Sequence, residues 1–402
     1  MSLPLLLALA LALWTTGVAS QPPRRGCLVD VNNRSVMPNP QPLLLVPGVR
    51  KDVHGFVKPN SSGIISLSYK QKITLACPGS RLRLFSGQQE TASCVSASTF
   101  VVKRRSYAFA DLDCLSPPEQ SAQVTGRKCG SKRQYQMIRL GYRVGSDFYT
   151  LIDVCFDDRS YNTVYDNFTM VANIGGKQSG SFQSTWLGGG FFGKINMDMQ
   201  YSFNTQVNTF TTLLGPGASG YITKSNFLTR GHLAARSDFM LRTQQNATYF
   251  YVNAAPQWKS FNSANWNTME NNVRSYAENR LVDLEIYTGT HGIATLPNAN
   301  NVTTKLYLYA HHRRYIPVPK IFWKIVFNAI TNAAVVLLGV NNPHVHNITP
   351  DYIVCPDVCR NISWLSWDAH NKSKGYSYCC QYADFKASVP DAPDIVVHSL
   401  LT

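Results

Sequence analysis

Beyond its first twenty residues, the chain has no apolar run long enough to cross a membrane. The most apolar later stretch, Ala333–Val340, is far shorter than the roughly 20 residues that a spanning helix needs. Residues 1–20, MSLPLLLALALALWTTGVAS, carry no charge and end in small residues, which is typical of a cleavable secretory signal. We therefore expect a secreted, extracellular protein that has no membrane partner and begins near Gln21 once mature.

The chain also lacks the short motifs of several common hydrolases. It contains neither GxSxG nor HExxH, which argues against a serine hydrolase and a zinc protease of those types. A glycine-rich passage at residues 175–194 lacks the GxxxxGK[ST] order of a phosphate-binding loop. We expect this passage to be a turning loop without nucleotide chemistry.

Cysteine is absent from the roughly two hundred residues between Phe156 and Val354, although the chain contains 10 cysteines. Six lie before this gap and four after it, so disulfides are expected at both ends of a cysteine-free core. Cys379 and Cys380 are adjacent and unsuited to bond each other, so their expected partners are Cys355 and Cys359, in either order. A metal site made of these four cysteines is disfavoured in an oxidising compartment.

Acidic residues are few relative to basic ones, with 23 Asp and Glu against 38 Lys and Arg, and the net charge is +15. Such a surface attracts polyanions. Charge alone, however, favours nucleic-acid binding no more than it favours a basic surface that only aids solubility. A glycosylated protein is expected from eight Asn-X-Ser/Thr sequons, at Asn33, Asn60, Asn167, Asn246, Asn301, Asn347, Asn361 and Asn371.

At roughly 380 mature residues, two domains are the better expectation. Residues 21–155 alternate short apolar runs with turn signals, which predicts a small disulfide-linked β domain. Residues 156–402 would form the second domain, with a disulfide-linked C-terminal segment. The runs predicted as strands are Ile64–Tyr69, Ile73–Cys77, Leu82–Phe85, Tyr135–Val144, Phe148–Phe156 and, for a central sheet, Leu281–Tyr287, Leu306–Ala310, Ile321–Phe327 and Val335–Val340.

A β–β–α unit is predicted in the middle of the second domain. The aromatic and β-branched run Thr248–Val252 predicts a strand that delivers Asn253 at its end. Apolar residues then recur every three or four positions from Ser263 to about Glu278, which indicates an amphipathic helix with Asn262 at its entrance. The predicted fold class is therefore α+β.

Residues between Thr229 and Arg274 supply the groups that phosphodiester hydrolysis requires, namely a base for water, a cation for the phosphate charge and a donor for the leaving oxygen. His232 is the candidate base, although a lone histidine is more often an ordinary hydrogen-bonded residue. The amide oxygen of Asn262 suits Mg²⁺. Glu270 lies two turns along the helix, where it would accept hydrogen bonds from the metal's water shell. Glu270 and Arg274 could equally form a plain i,i+4 pair.

Four motifs in this segment occur in a fixed order: TRGHL at Thr229–Leu233, NAAPQ at Asn253–Gln257, FNSANW at Phe261–Trp266 and MENNVR at Met269–Arg274. Together they resemble the DNA/RNA non-specific endonucleases, which carry a ββα-metal site. The chain is most similar to the secreted arthropod members, namely crustacean digestive and duplex-preferring nucleases and insect double-stranded ribonucleases. This similarity extends to YIPVPKIFWKIV, LGVNNPH and GYSYCC, and it is weak before residue 150.

The resemblance implies an endonuclease that uses Mg²⁺, with Mn²⁺ or Ca²⁺ as substitutes, and leaves 5′-phosphate and 3′-hydroxyl ends. The implied roles are a general base for His232, a supporting role for Asn253, a metal ligand for Asn262 and an outer-shell role for Glu270. Arg230 and Arg274 would face phosphate, so Arg274 is expected to affect the rate more than the fold. Double-stranded DNA is the favoured substrate, with double-stranded RNA or both sugar types as alternatives.

Two departures from the bacterial relatives stand out. Thr229 occupies the position where those relatives have aspartate, so the function of that carboxylate must be absent or supplied elsewhere. They also use an arginine about thirty residues upstream of the histidine, whereas residues 196–210 of this chain contain no basic residue. Lys224, Arg236 and Lys259 are the replacement candidates for phosphate contact.

A second class of function also fits the composition. A cationic, glycosylated, disulfide-linked protein could bind polyanions such as nucleic acid or heparin-like sugars without cleaving them. Independence from divalent cations, or activity that survives His232→Ala, would favour this binding protein over the nuclease.

Overall fold

The computed structural model describes residues 26–180, 184–310, 313–345 and 347–402. The secretory signal expected over residues 1–20 lies outside these described ranges. Among the described residues, no helix combines the length and the apolar character that crossing a lipid bilayer requires.

The N-terminal part of the chain is an antiparallel β unit. Its strands are β1 (Cys27–Asp30), β2 (Leu43–Leu45), β3 (Ile64–Leu67), β4 (Lys72–Ala76), β5 (Gln89–Ser96), β6 (Thr99–Val102) and β7 (Arg105–Ala108). A five-stranded sheet has the order β2-β4-β5-β6-β7, and β1 pairs with β3. Disulfides Cys27–Cys94 and Cys77–Cys114 cross-link the unit. The strand predicted at Leu82–Phe85 is wrong, because only an isolated bridge from Leu82 to Cys114 forms there.

The rest of the chain contains fifteen further strands among the described residues. They are β8 (Ser121–Cys129), β9 (Tyr135–Val144), β10 (Asp147–Asp157), β11 (Asn162–Met170), β12 (Leu228–His232), β13 (Ala254–Trp258), β14 (Leu284–Ile293), β15 (Thr295–Pro297), β16 (Thr303–Lys305), β17 (Tyr307–Ala310), β18 (Arg314–Pro317), β19 (Pro319–Asn328), β20 (Ala333–Val340), β21 (Ser377–Cys380) and β22 (Ser399–Leu400).

Most of these strands form one long sheet in the order β21-β20-β19-β14-β11-β10-β9-β8, with β22 added beside β20. Every residue of β20 is buried, and so are residues 321–328 of β19. Strands that are apolar on both faces must be covered on both faces, so this part of the sheet is the centre of the core. Of the four strands predicted for the central sheet, Leu306–Ala310 does not join it, because β17 pairs with β18 in a separate hairpin.

The domain boundary predicted at residue 155 falls inside β10 of the long sheet. Strands β8, β9 and β10 precede or contain that boundary, and yet they pair continuously with β11 and β14. The disulfide Cys129–Cys155 also joins β8 to β10 within this sheet. We propose that any division of the chain lies between β7 and β8, where the N-terminal sheet ends and the long sheet begins.

The helices are short except for two. They are α1 (Met197–Gln200), α2 (Phe203–Leu214), α3 (Arg242–Asn246), α4 (Lys259–Phe261), α5 (Asn267–Arg280) and α6 (Tyr382–Ser388), with a π-helical turn at Asn262–Trp266 between α4 and α5. The mixed α+β prediction is confirmed. The predicted strand Thr248–Val252 is wrong, because Tyr251–Asn253 forms a 3-10 turn and the strand β13 begins only at Ala254.

The C-terminal segment is held by two disulfides, Cys355–Cys380 and Cys359–Cys379. This confirms that the adjacent cysteines bond Cys355 and Cys359, and it resolves the order that the spacing left open. These two disulfides use the sulfur atoms of all four cysteines that the alternative metal site would have required.

Candidate active site

The hairpin β12/β13 and helix α5 form the predicted β–β–α unit. In the antiparallel pair, Leu228 lies opposite Trp258 and His232 lies opposite Ala254. Gly231 has no room for a side chain, because an added Cβ would lie 2.5 Å from the Cβ of Gln257 on the facing strand. The TRGHL motif therefore needs its glycine for close strand pairing, and His232 stands at the end of the hairpin.

Asn253 is fully buried and holds the chain that follows the histidine. Its Oδ1 accepts a hydrogen bond from the backbone N–H of Ala234 at 3.1 Å. Its Nδ2 donates to the carbonyl oxygens of Ala234 at 3.0 Å and Thr248 at 2.9 Å. These bonds satisfy the buried amide and fix the chain on both sides of the hairpin end, and the supporting role implied for Asn253 stays a prediction.

Aromatic rings surround His232. The ring of Trp186 lies 4.6 Å from the imidazole, centroid to centroid, and the ring of Tyr249 lies edge-on at 5.1 Å. Burial lowers the pKa of His232 well below its usual value near 6.5, and the positive charge of Arg236 lowers it further. The imidazole is therefore neutral at physiological pH, as a general base must be.

A hydrogen bond at the far side of the imidazole selects its tautomer. The hydroxyl of Thr248 donates to the carbonyl oxygen of Gln245 at 2.8 Å, so its proton is already used. The Oγ1 of Thr248 also lies 3.4 Å from Nε2 of His232, and there it can only accept. This contact favours the tautomer that carries its proton on Nε2, which leaves Nδ1 to take a proton.

Arg230 is held by an acidic and aromatic cluster that the sequence did not indicate. Its Nη2 donates to Asp198 at 3.0 Å and its Nε donates to the hydroxyl of Tyr251 at 3.0 Å. The guanidinium also lies over the ring of Tyr201, 5.2 Å from the centroid. Asp198 belongs to the segment where bacterial relatives have an arginine. In this chain the segment contributes a carboxylate that orients Arg230, and residues 196–210 contribute no positive side chain to the site.

Asn262 is tied to the histidine strand through Thr229. The Nδ2 of Asn262 donates to the hydroxyl oxygen of Thr229 at 3.0 Å, and that hydroxyl donates to the carbonyl oxygen of Gln257 at 2.8 Å. The amide nitrogen is thus committed, and within the described part of the chain Oδ1 has no hydrogen-bond donor. Thr229 therefore takes over an orienting task at the aspartate position, although it directs Asn262 and not the histidine.

Replacing Thr229 with valine keeps the shape of the side chain and removes both hydrogen bonds. We expect about a tenfold rise in the divalent cation concentration that supports half-maximal cleavage, since losing a group that orients a metal ligand weakens metal affinity by about 10- to 100-fold. Cation titrations of the initial rate measure this effect. Thr229→Ser, which keeps the hydroxyl, is the control, and a valine variant that behaves like the serine variant would refute the orienting role.

Helix α5 carries Glu270 and Arg274 into a buried set of charges. Arg274 is only 7% exposed, and its Nη1 donates to the carboxylate of Asp238, which is 2% exposed. Its Nη2 donates to Asn271 at 2.9 Å. The ion pair of Arg274 is therefore with Asp238, a residue that follows the TRGHL motif, and the guanidinium is committed inside the protein. The phosphate-facing role implied for Arg274 stays a prediction.

Glu270 lies among the same charges. Burial, together with the negative charge of Asp238, raises the pKa of Glu270 to about 7, although the positive charges of Lys324 and Arg274 oppose the rise. Lys324 is 1% exposed in the middle of β19, and its Nζ donates to Thr288 at 2.6 Å and to the carbonyl oxygen of Leu233 at 3.3 Å. A buried cation thus supports the residue that follows His232. A single lysine inside the apolar run IFWKIVF was the available signal for it.

The C-terminal segment braces the turn that presents Asn262. Asn265 is 2% exposed, and its Nδ2 donates to the carbonyl oxygens of Asp368 and Gly375, both at 2.8 Å. Its Oδ1 accepts from the backbone N–H of Asp368 at 3.1 Å. Both partners lie inside the loop closed by Cys359–Cys379. This disulfide-closed segment is therefore part of the active-site scaffold.

The donor set fits a hard divalent cation. Asn262 offers an unengaged amide oxygen, a ligand atom that suits Mg²⁺, and Glu270 on the following helix offers a carboxylate that would accept hydrogen bonds from the water shell of the ion. Lys224 is exposed, Lys259 lies over the ring of Phe227, and Arg236 acts on His232. Of the three replacement candidates for phosphate contact, Arg236 is thus the one whose charge acts on His232.

Known nucleases and salivary proteins are similar to this chain. The family model of the DNA/RNA non-specific endonucleases matches residues 133–385, more than half of the chain. A salivary endonuclease of Lutzomyia longipalpis is 29% identical over 333 residues, which cover 81% of this chain and 74% of that protein. Salivary protein Tsal2A of Glossina morsitans morsitans is 24% identical over 339 residues, which cover 82% and 84%. A solved EndoG/EndoGI complex matches 58% of this chain and 85% of its own, with 17% identity and a TM-score of 0.30.

Proposed function

Because the chain belongs to the DNA/RNA non-specific endonuclease family, we propose that it uses Mg²⁺ to hydrolyse double-stranded DNA, with His232 as general base and Asn262 as metal ligand. The products would carry 5′-phosphate and 3′-hydroxyl ends. As a member of this family the protein is an endonuclease that acts on nucleic acid. The choice of ion, the choice of substrate and the roles of individual residues are our proposals.

One observation supports the assignment of residues more than any other. The hydrogen bond from Asn262 to Thr229 joins the metal-ligand turn to the strand that ends at His232. A base and a cation ligand must act on the same phosphodiester group, and this bond holds their backbones together. Asn253 and the pair Asp238–Arg274 hold the loop that follows the histidine.

In the proposed reaction, Nδ1 of His232 takes the proton of the attacking water. The rings of Trp186 and Tyr249 pack against the imidazole, and its lowered pKa keeps it neutral between turnovers. Arg230 faces the phosphate with Nη1, because within the described residues only its Nε and Nη2 are engaged by Tyr251 and Asp198. When bound at Asn262, Mg²⁺ supplies positive charge that lowers the barrier to phosphodiester cleavage.

Substrate and location are proposed on composition and likeness. A net charge of +15 favours a polyanionic substrate. We prefer double-stranded DNA because the arthropod nucleases that this chain resembles most include duplex-preferring enzymes. Five disulfides and relatives described as salivary support an extracellular protein. Double-stranded RNA, or nucleic acid of either sugar, is the alternative substrate.

The function is tested by incubating the secreted protein with matched double-stranded DNA, single-stranded DNA and double-stranded RNA, in Mg²⁺ or in EDTA. We expect cleavage in Mg²⁺, none in EDTA, and the highest rate on double-stranded DNA. Faster cleavage of the RNA duplex would overturn the substrate proposal and retain the nuclease. Binding without cleavage on all three would move the protein to the class of cationic polyanion binders.

Asn262→Ala is expected to raise the Mg²⁺ requirement and lower the maximal rate together, by on the order of 100-fold in activity at fixed Mg²⁺. The reason is that the substitution removes the amide oxygen proposed as the protein's ligand. Mg²⁺ titration of the initial rate, with Mn²⁺ as a second ion, is the measurement. Asn267→Ala, at an exposed position one turn further on, is the matched control. A wild-type metal response in Asn262→Ala would eliminate the ligand assignment.

A further inference from the structure

A polar cavity of about 210 Å³ lies where the N-terminal β unit meets the nuclease core. One wall comes from the chain after β1, with Asn32, Arg34 and Gln41. The other wall comes from the glycine-rich passage and the start of α3, with Ser179 and Arg242. The two walls are bonded, because Oδ1 of Asn32 accepts from the backbone N–H of Ser179 at 2.7 Å and from its hydroxyl at 2.8 Å.

Two arginines meet at this cavity. Gly180 separates them, and an added Cβ there would lie 3.6 Å from Nη2 of Arg34 and 3.7 Å from Nη2 of Arg242. Burial lowers the pKa of Arg242, and the charges of Arg34 and Arg236 lower it further, which is the sign of cations close together. Within the described part of the chain, Arg34 has no hydrogen bond or ion pair. Arg34 is exposed, so its guanidinium is open to an anion from solution.

Gln41 provides an independent sign of a ligand. Its side chain is 6% exposed and lines the cavity, and both its Nε2 and its Oε1 are buried without a hydrogen-bond partner. A buried amide without partners is rare in native proteins, because desolvation of its polar atoms is then uncompensated. An amide beside two guanidinium groups suits an oxygen-rich anion, because Nε2 can donate to one of its oxygens.

The cavity is connected to the candidate base by a short series of hydrogen bonds. The carbonyl oxygen of Gln178, in the cavity wall, accepts from Nε2 of Gln245 at 2.9 Å. The carbonyl oxygen of Gln245 accepts from the hydroxyl of Thr248, which lies 3.4 Å from His232. Few residues therefore separate the cavity wall from His232.

We propose that this cavity binds a phosphodiester group of the substrate, away from the scissile bond, with Arg34 and Gln41 as contacts from the N-terminal unit. The proposal rests on the proposed nuclease function for the identity of its ligand. It gives the N-terminal unit a task in substrate binding. Guanidinium groups suit this task because they match phosphate oxygens in geometry and charge.

The test measures binding of a fluorescent 20-base-pair DNA duplex to the secreted His232→Ala protein, by anisotropy over a range of salt concentrations. Arg34→Ala should weaken binding about fivefold at physiological salt and lower the slope of log K against log salt by about 1. Arg104→Ala removes a charge from the same unit away from the cavity and should change neither value. Gln41→Met should weaken duplex binding, because it removes the amide that contacts phosphate, and should raise resistance to urea, because it removes two buried polar atoms without partners. A glutamine with a purely structural role would change stability alone.

The outcomes separate this proposal from the proposed function. If Arg34→Ala matches Arg104→Ala in affinity and salt slope, the cavity is not a substrate site, whatever the protein cleaves. If Arg34→Ala weakens binding of heparin and leaves duplex binding unchanged, the ligand is a sulfated sugar and the proposal fails. Absence of His232-dependent cleavage in the parent protein would refute the nuclease function, while the anisotropy series still reports on the cavity.

Discussion

His232→Ala is expected to lower kcat/KM for nucleic-acid cleavage by about 1000-fold, since general base catalysis contributes about 10²- to 10⁴-fold. Duplex binding should persist, because alanine removes no positive charge at physiological pH. The imidazole is neutral there, and its Nε2 proton faces Thr248, so the variant loses the one nitrogen that can accept the proton of water. Initial rates of duplex cleavage and equilibrium binding of the same duplex measure the two quantities.

His398→Ala, at an exposed position near the C-terminus, is the matched control and should keep wild-type activity. The pH profile adds a second check. The lowered pKa of His232 keeps the base form present as pH falls through 6.5, so kcat/KM should retain its plateau below the pH at which an ordinary histidine would protonate. An alanine variant that cleaves at the wild-type rate would remove His232 from the mechanism.

Arg274→Met is expected to lower the free energy of unfolding by about 3–5 kcal/mol, which is typical when one partner of a buried ion pair is removed. Asp238 is 2% exposed, and its Oδ2 already has no hydrogen-bond partner, so the variant leaves a buried carboxylate without compensation. The resemblance implied an effect on rate more than on fold. Burial of the pair leads us to expect the larger effect on stability, to be measured by urea unfolding with the disulfides intact.

Arg280→Met provides the matched control on the same helix, because Arg280 is exposed in the last turn of α5. It should change stability by less than about 0.5 kcal/mol. The double variant Asp238→Asn/Arg274→Met removes both charges and should recover part of the lost stability. Normal unfolding of Arg274→Met with a selective loss of kcat would instead support the phosphate contact.

Local sequence pattern predicted helix α5 and the strands β9, β10, β19 and β20 because each has a regular apolar repeat or a continuous apolar run. It failed at Thr248–Val252, where side chains override strand propensity. The amide of Asn253 bonds the carbonyl of Thr248, and this bond closes the chain into a turn. A propensity scale counts residue types and contains no information about such a side-chain to backbone bond.

The candidate site shows the same division. Motif order located His232, Asn253 and Asn262, and the structure brings the histidine strand and the Asn262 turn together. Motif order did not locate Asp198 or Asp238, because each is an ordinary acidic residue in the sequence. Their partners, Arg230 and Arg274, lie more than thirty residues away along the chain. Only the folded chain identifies such pairs.

By itself, the sequence determined the family, the residue types of the candidate site and the disulfide-linked ends, because motifs, spacing and cysteine positions are local properties. The tertiary structure decided which partner each polar group has. It assigned Thr229 to Asn262, Asp238 to Arg274 and Asp198 to Arg230, and it joined Arg34 of the N-terminal unit to a cavity beside the core. These assignments depend on contacts between residues distant in sequence, and such contacts exist only in the folded chain.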